Sequence, residues 1–184
     1  MPEAKKRKVA LMGSRSVGKS SLAIQFVQGQ FVDHYEPTIE NTFNKKVNLH
    51  GSEYELYLVD TAGQDEYSIM PPEYSVDVHG YVLVYSIDSM KSLEVCQTLH
   101  EKLIDLIGNN NVPIVLVGNK CDLHADRQVS SEEGRRLAAE IKAVFLETSA
   151  KNNQNVADVF HKVLSEMEKD SGTLDNGEKK CVIS

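Results

Sequence analysis

Short apolar runs and helical patterns alternate along almost the whole chain, and this alternation restricts the fold more than any other feature. The apolar runs are rich in valine, isoleucine and leucine, as in strands buried on both faces of a sheet. Strands are predicted at residues 9–13, at 43–60 as a hairpin turning at His50-Gly51, and at 81–87, 112–119 and 144–149. Helices are predicted at residues 19–29, 91–107, 130–142 and 154–169. This order predicts an α/β fold with a mostly parallel six-stranded sheet, one antiparallel edge strand and helices on both faces.

The size and composition of the chain limit its organisation and its partners. Its 184 residues suffice for one domain with a full core and are few for two. We assign residues 1–169 to one domain and the polar residues 170–184 to a flexible C-terminal tail. The formal net charge of -7 argues against binding to nucleic acid. Three widely spaced cysteines form neither a disulfide framework nor a zinc pattern, which indicates a reducing compartment.

The stretch Gly13-Ser-Arg-Ser-Val-Gly-Lys-Ser20 matches GxxxxGK[ST] and joins the first predicted strand to the first predicted helix. Glycines allow backbone N–H groups to turn inward around a phosphate, and the helix N-terminus adds positive potential. Lys19 can reach terminal phosphates, and the Ser20 hydroxyl can ligate magnesium. Because the strand–loop–helix context makes a chance match rare, the motif predicts a nucleotide phosphate loop.

Three further loops follow predicted strands, and the carboxyl ends of strands are where open α/β sheets bind ligands. In DTAGQ, Asp60 can hold magnesium through a water, and Gly63 offers an uncrowded N–H to a terminal phosphate. In NKCD, Asp122 can accept two hydrogen bonds from guanine and so reject adenine, with the Lys120 stem over the base. Ser149-Ala150-Lys151 can supply an N–H to the base oxygen. Each motif alone is equally typical of a helix cap or solvated turn, but their common position favours one nucleotide site.

GSRSVGKS, YEPTIE, DTAGQ, NKCD and SAK occur in the order and spacing of the Ras-like small GTPases, which the chain resembles from about residue 7 to 169. Within that superfamily, the chain is most similar to the Rheb branch, through SRSVGKS with its arginine, FVDHYEPTIENTF and QDEYSIMPPEY. The resemblance implies a switch that binds GTP or GDP with Mg²⁺ and hydrolyses GTP. The implied magnesium ligands are Ser20 and Thr38, with Asp60 acting through a water. The implied nucleotide contacts are Ser16, Val17, Gly18, Lys19, Ser20, Ser21, Phe31, Val32, Asp33, Tyr35, Thr38, Gly63, Asn119, Lys120, Asp122, Ser149, Ala150 and Lys151.

The resemblance also implies how the switch works. Thr38 and Gly63 would hold the terminal phosphate and order the residues near 33–41 and 63–77, which are released after hydrolysis. The implied catalytic set is Gln64, Thr38, Gly63, Arg15 and Tyr35, with Gln64 in the position of the water-orienting glutamine. The implied effector region is Tyr35, Glu36, Pro37, Thr38, Ile39, Glu40 and Asn41. For the Rheb branch, the implied effector is the target-of-rapamycin kinase complex, and the implied GTPase activator is the tuberin complex.

Two features depart from the general Ras pattern. Arg15 stands where most Ras-like proteins carry glycine, and Met70-Pro71-Pro72 disfavours a continuous helix running on from Gln64. We therefore expect slow GTP hydrolysis to which Gln64 contributes little. Arg15 either faces solvent or crowds the terminal phosphate, and we favour partial obstruction. If its charge instead stabilised the transition state, hydrolysis would be fast.

The end of the chain, Cys181-Val-Ile-Ser184, fits the C-a-a-X prenylation pattern, and a final serine favours farnesyl. With few basic residues nearby, one lipid chain predicts reversible binding. We expect the protein to exchange between the cytosol and the cytoplasmic face of internal membranes (endolysosomal, Golgi or endoplasmic reticulum). The basic run at residues 5–8 is interpreted as a solvated strand entry rather than a nuclear signal or nucleic-acid patch.

Two other function classes are compatible with parts of this pattern. One is a binding module that stays loaded with GTP and activates its effector with negligible hydrolysis of its own. The other is a phosphate-loop kinase with a second small-molecule substrate, which would need an acceptor site and a basic lid that the sequence does not display. NKCD also favours guanine, whereas most such kinases use ATP.

Overall fold

A computed structural model describes residues 3–32, 41–63, 70–109 and 111–170. Two short 3₁₀ helices, Pro72–Ser75 and His124–Asp126, lie in the connections. The strands and helices in chain order are β1 (Lys5–Gly13), α1 (Lys19–Gln28), β2 (Asn41–Leu49), β3 (Ser52–Asp60), β4 (Gly80–Ser86), α2 (Met90–Ile107), β5 (Ile114–Asn119), α3 (Ser131–Ile141), β6 (Val144–Glu147) and α4 (Val156–Asp170). Within these described residues, no helix is both long enough and apolar enough to span a membrane.

The six strands form one sheet in the order β2-β3-β1-β4-β5-β6. The hairpin pair β2 and β3 is antiparallel, and the four other neighbouring pairs are parallel. The predicted fold class is therefore confirmed. Because β1 lies between β3 and β4, the loop after β1 stands where the strand order reverses, the usual ligand site of such sheets.

Helices cover both faces of the sheet and enclose two separate cores. Successive side chains of a strand point to opposite faces, so Val9 and Leu11 join one core whereas Ala10 and Met12 join the other. In the first core, Phe26 of α1 stacks on Phe160 of α4 with ring centroids 4.4 Å apart. In the second core, side chains of α2 and α3 pack on β4 and β5. This two-sided burial explains why β4 and β5 are almost uniformly apolar.

The boundaries differ from the sequence-based predictions mainly at strand ends. β1 begins at Lys5 rather than residue 9, because its parallel pairing with β3 continues down to Lys5 opposite Tyr54. β6 ends at Glu147 rather than residue 149, and Thr148 and Ser149 turn into the loop that follows. The apolar pattern of a sequence does not show where strand pairing ends, because polar residues at the end of a strand can either pair with the neighbouring strand or turn into a loop.

Candidate nucleotide-binding site

The phosphate loop, residues 14–18, runs from the carboxyl end of β1 to the N-terminus of α1. Gly18 has a φ of 97°, in the left-handed region, and a Cβ atom there would overlap Nδ2 of Asn119. Glycine is thus required twice at this position, by backbone conformation and by close approach. The loop brings the N-terminus of α1 to the edge of the sheet, where helix N–H groups favour an anion.

Lys19 is a buried cation at the base of this loop. Its side chain is 5% exposed, and Nζ donates to the carbonyl oxygens of Gly13 at 3.1 Å and Ser14 at 2.8 Å. Burial lowers the pKa of Lys19 to about 8, and the nearby Asp60 carboxylate opposes that shift. A phosphate beside Nζ would favour the charged form in the same way. The arrangement fits an anionic ligand.

Asp60, the last residue of β3, supplies carboxylate oxygens beside the loop. It is fully buried, and its Oδ2 accepts a hydrogen bond from the Ser20 hydroxyl. Burial raises the pKa of Asp60, while the Ser20 hydrogen bond and Lys19 oppose the rise. Asp60 Oδ1 and Ser14 Oγ are buried without a hydrogen-bond partner among the described residues. Buried orphan oxygens mark a place for water, an ion or a ligand.

These oxygen donors fit Mg²⁺ better than a transition metal. Mg²⁺ takes oxygen ligands and is commonly held by one or two protein groups together with water and substrate phosphates. In the part of the chain that the structure describes, no group of three or more histidine, cysteine, aspartate or glutamate residues could hold a metal ion. Ser20 and Asp60, whose Oδ1 is buried without a partner among the described residues, would hold magnesium together with water and phosphate oxygens.

Arg15 and Gly63 are packed against each other. A Cβ atom on Gly63 would lie 2.8 Å from Cα and 2.9 Å from the backbone nitrogen of Arg15, and would also overlap Arg15 Cγ. The backbone of Gly63 therefore contacts the phosphate loop, and the aliphatic part of the Arg15 side chain covers it. The Arg15 residue as a whole is nevertheless exposed. The exposed side chain agrees with a solvent-facing Arg15, and its stem lies against Gly63, the residue before Gln64.

Asn119, the last residue of β5, joins three loops through its side chain. Nδ2 donates to the carbonyl oxygen of Val17 at 2.9 Å. Oδ1 accepts from the Thr148 hydroxyl at 2.9 Å and from the Ala150 N–H at 3.3 Å. Only 1% of Asn119 is exposed, so these contacts hold the phosphate loop to the loop after β6. Asn119 therefore braces the site, and one of the two Nδ2 hydrogens makes the bond to Val17.

Lys120 and Asp122 add hydrogen bonds between the same loops, closer to solvent than Asn119. Lys120 Nζ donates to the carbonyl oxygen of Ser16 at 2.6 Å, which lays its stem across the gap between NKCD and the phosphate loop. The Ser149 hydroxyl donates to Asp122 Oδ1 at 2.7 Å, and the same Ser149 oxygen accepts from the Asn152 N–H at 3.0 Å. Asp122 is thereby oriented by the loop that also carries Ala150.

Several supporting residues were missed by sequence reasoning. Gln25 of α1 donates from Nε2 to the carbonyl oxygen of Ala150 at 2.8 Å, and Thr148 is one of the two donors to Asn119 Oδ1. Arg127 forms a two-pronged pair with Glu147, with N–O distances of 2.7 and 2.9 Å. A polar residue beside SAK was a usable signal for Thr148. Nothing local in the sequence indicates Gln25, Arg127 or Glu147, because each acts on a distant segment.

The remaining predicted site residues either lie at the edge of the site or fall outside the described residues. Ser21 donates to the Val32 carbonyl oxygen at 3.1 Å, Phe31 packs on the core under α1, and Lys151 is exposed. Asn41 is the exposed first residue of β2. The residues that lie outside the described ranges are Asp33, Tyr35, Glu36, Pro37, Thr38, Ile39, Glu40, Gln64 and Cys181.

A groove of about 470 Å³ lies elsewhere, at the end of the sheet where β1 and β4 begin. Arg7, His79 and Met167 are among its lining residues, and no predicted nucleotide-binding residue contributes to it. The candidate site is thus defined by converging loops and unpartnered buried oxygens rather than by this groove.

Comparison with known proteins gives one consistent result. The sequence profile described as "Ras family" matches residues 8–169. The chain is 57% identical to the human "GTP-binding protein Rheb" over the full length of both chains. It is 58% identical to the Drosophila melanogaster "GTP-binding protein Rheb homolog" over 98% of each chain. It is 49% identical to the Schizosaccharomyces pombe "GTP-binding protein rhb1" over the full length of both.

Proposed function

This chain belongs to the Ras family of small GTPases, and we propose that it is a magnesium-dependent switch of the Rheb type with slow intrinsic GTP hydrolysis. Its reaction is the hydrolysis of GTP to GDP and phosphate. The observation that carries the proposal is the convergence of four loops. The Asn119 side chain joins the loops after β1 and β6 to the end of β5, and the Ser20–Asp60 hydrogen bond joins the end of β3 to the phosphate loop. Arg15 over Gly63 is the observation behind the slow rate.

The work of binding the phosphates is divided among described residues and three residues, Tyr35, Thr38 and Gln64, that lie outside the described ranges. Lys19 carries the charge that faces the terminal phosphates, and the phosphate loop with the N-terminus of α1 supplies N–H donors. Ser20 and Thr38 would hold magnesium, with Asp60 acting through a water, and the ion would neutralise phosphate charge. Thr38 and the Gly63 N–H would contact the terminal phosphate. Gln64 stands in the position of the family's water-orienting glutamine but contributes little to the slow reaction, and Tyr35 belongs to the same implied catalytic set. These assignments extend the family resemblance to this chain residue by residue.

Guanine selection is assigned to Asp122 together with Ala150. A carboxylate that accepts two hydrogen bonds from the guanine amide and amine loses both with adenine and is left unpaired. The Ser149–Asp122 hydrogen bond of 2.7 Å supports the assignment, because it orients the carboxylate before a base arrives. Phe31, Lys120 and Lys151 complete the walls of the base site.

The slow rate follows from the contact between Arg15 and Gly63. Gln64 is the next residue after Gly63, so a stem fixed over Gly63 restricts how Gln64 approaches a terminal phosphate. Small misplacements of a catalytic group carry large rate costs. In single-turnover hydrolysis with Mg²⁺, we expect Gln64→Leu to change the wild-type rate less than twofold. A drop of tenfold or more would show that Gln64 contributes strongly to hydrolysis and would contradict this explanation.

For partners, we extend the Rheb-type assignment to signalling. The effector is the target-of-rapamycin kinase complex, engaged by residues 35–41 in the GTP state, and the hydrolysis activator is of the tuberin type. Identity of 57% over the whole of both chains supports this extension. A farnesyl group on Cys181 would hold the protein reversibly on the cytoplasmic face of endolysosomal, Golgi or endoplasmic reticulum membranes, beside a cytosolic pool. Farnesyl transfer to the wild type but not to Cys181→Ser, followed by mass spectrometry, tests the lipid.

One experiment separates the switch from its alternatives. Chromatography of the nucleotide released from freshly purified protein, combined with the turnover rate, should show bound GTP or GDP and slow conversion. Release of adenine nucleotide, or phosphate transfer to a small-molecule acceptor, would favour a kinase. Bound GTP with no detectable turnover in the absence of an activator would favour the binding module.

A further inference from the structure

Four consecutive basic residues open β1, and the nucleotide site does not use them. Lys5 and Lys6 are exposed, and Arg7 and Lys8 are partly exposed. The phosphate loop follows the carboxyl end of β1, so this basic run lies at the opposite end of the sheet. Its charge therefore serves neither the phosphates nor the base.

The basic run is fastened to the last turn of α4. Arg7 Nε donates to Glu168 Oε1 at 2.7 Å, and the Glu168 side chain is fully buried. Lys5 Nζ and Arg7 Cζ also lie 5.6 and 5.7 Å from the centroid of the Tyr54 ring. Because α4 ends at Asp170, the start of β1 stands beside the point where the chain continues towards Cys181.

We propose that Lys5, Lys6 and Lys8 form a second membrane-binding element, which contacts the anionic headgroups of the bilayer that holds the farnesyl group. This inference rests on the proposed lipidation of Cys181. A single lipid chain gives marginal binding, and stable anchoring needs a second signal such as a basic patch. Each lysine near an anionic surface strengthens binding about fivefold.

The number of residues in the tail limits how far the membrane surface can lie from this element. Residues 171–181 count eleven, and at about 3.5 Å each they span no more than about 40 Å. The attraction is reduced by acidic neighbours, since Glu168 takes up the charge of Arg7 and Glu55 stands opposite Lys6 in the strand register. Glu3 precedes the run and Glu53 is exposed on β3. Two lysines should therefore contribute about tenfold rather than the full product of two fivefold effects.

The test uses full-length protein farnesylated by purified transferase and sedimented with vesicles. One set of vesicles is phosphatidylcholine, and the other contains phosphatidylserine as well. The wild type should bind the mixed vesicles more tightly, and added salt should reduce that preference. The double variant Lys5→Gln/Lys6→Gln should lose about tenfold on the mixed vesicles and nothing on phosphatidylcholine, whereas Lys5→Arg/Lys6→Arg should bind like the wild type.

A matched control removes the same charge elsewhere. Lys91, in the first turn of α2, and Arg136, on α3, are both exposed. Lys91→Gln/Arg136→Gln should bind both vesicles like the wild type, and melting temperatures should show that both double variants remain folded. Equal losses in the two double variants, or no preference of the wild type for phosphatidylserine, would overturn the inference alone. If the transferase does not modify Cys181, or the lipid adds no binding to phosphatidylcholine, the proposed anchoring fails and this inference with it.

Discussion

The site has a base side, formed by Asn119, Asp122 and the loop after β6, and a phosphate side, formed by the phosphate loop, Lys19 and Asp60. The two sides are built differently. On the base side, both polar atoms of Asn119 already have partners in the protein, because Nδ2 donates to Val17 and Oδ1 accepts from Thr148 and Ala150. On the phosphate side, Asp60 Oδ1 and Ser14 Oγ are buried without a partner in the described part of the chain, and Lys19 is a desolvated cation. Buried polar groups that lack partners are costly. The base side is thus preformed, whereas the phosphate side gains its missing interactions from nucleotide and magnesium.

The largest expected effect comes from breaking the preformed side. Asn119→Ala leaves the Thr148 hydroxyl, the Ala150 N–H and the Val17 carbonyl without their partner in a buried region. We expect the free energy of unfolding without nucleotide to fall by about 3 kcal/mol, because each orphaned group costs about 1–3 kcal/mol. Urea unfolding in the presence of a magnesium chelator measures it. Asn111→Ala, at an exposed position, is the control and should change little.

Asp60→Asn changes the phosphate side and should have the opposite effect, which is a loss of nucleotide affinity without a loss of stability. Burial raises the pKa of Asp60, so the neutral amide removes a desolvated charge and the unfolding free energy without nucleotide should not fall. Affinity for GTP with Mg²⁺ should drop by about 100-fold, equivalent to about 2.7 kcal/mol. Titration with and without a chelator measures both. A variant that loses as much stability as Asn119→Ala would show that the two sides are not distinct.

A smaller, pH-dependent effect on the free energy of unfolding is expected from the Arg127–Glu147 ion pair, which lies next to the loop after β6. Hydrogen bonding to Arg127 lowers the pKa of Glu147, with a further contribution from Ser131 and an opposing one from burial. A carboxyl whose pKa is lowered on folding stabilises the protein above its unfolded value near 4.5, and that stabilisation is lost as the pH falls through the folded pKa. Glu147→Gln should cost less than about 1 kcal/mol at neutral pH, because the pair is partly exposed.

Unfolding free energies across the acid range test this. The difference between the wild type and Glu147→Gln should shrink as the pH falls below the ordinary glutamate value. Glu140→Gln, at an exposed position of α3, provides a matched control and should show no such convergence. A difference independent of pH would mean that Glu147 acts through packing rather than charge.

The sequence predicted the fold and the site loops well, since both depend on local patterns. Alternating apolar runs predicted the sheet, and motifs at strand ends predicted the four loops that converge at the site within the described residues. The contacts that distinguish the two sides were not predictable. Asn119 and Val17 are 102 residues apart, and the contact of Arg15 with Gly63 arises only when β1 and β3 are paired. Such contacts depend on the register of the sheet, which no single stretch of sequence specifies.

The most direct measurement of the slow switch is single-turnover GTP hydrolysis by the wild type and by Arg15→Gly, side by side with Mg²⁺. Removing the stem from Gly63 leaves the backbone of the phosphate loop in place, so GDP affinity should remain within about twofold of the wild type. The account predicts hydrolysis at least fivefold faster in Arg15→Gly. Equal or slower hydrolysis at unchanged affinity would contradict it, since the Arg15 stem over Gly63 would then have no part in holding the switch on.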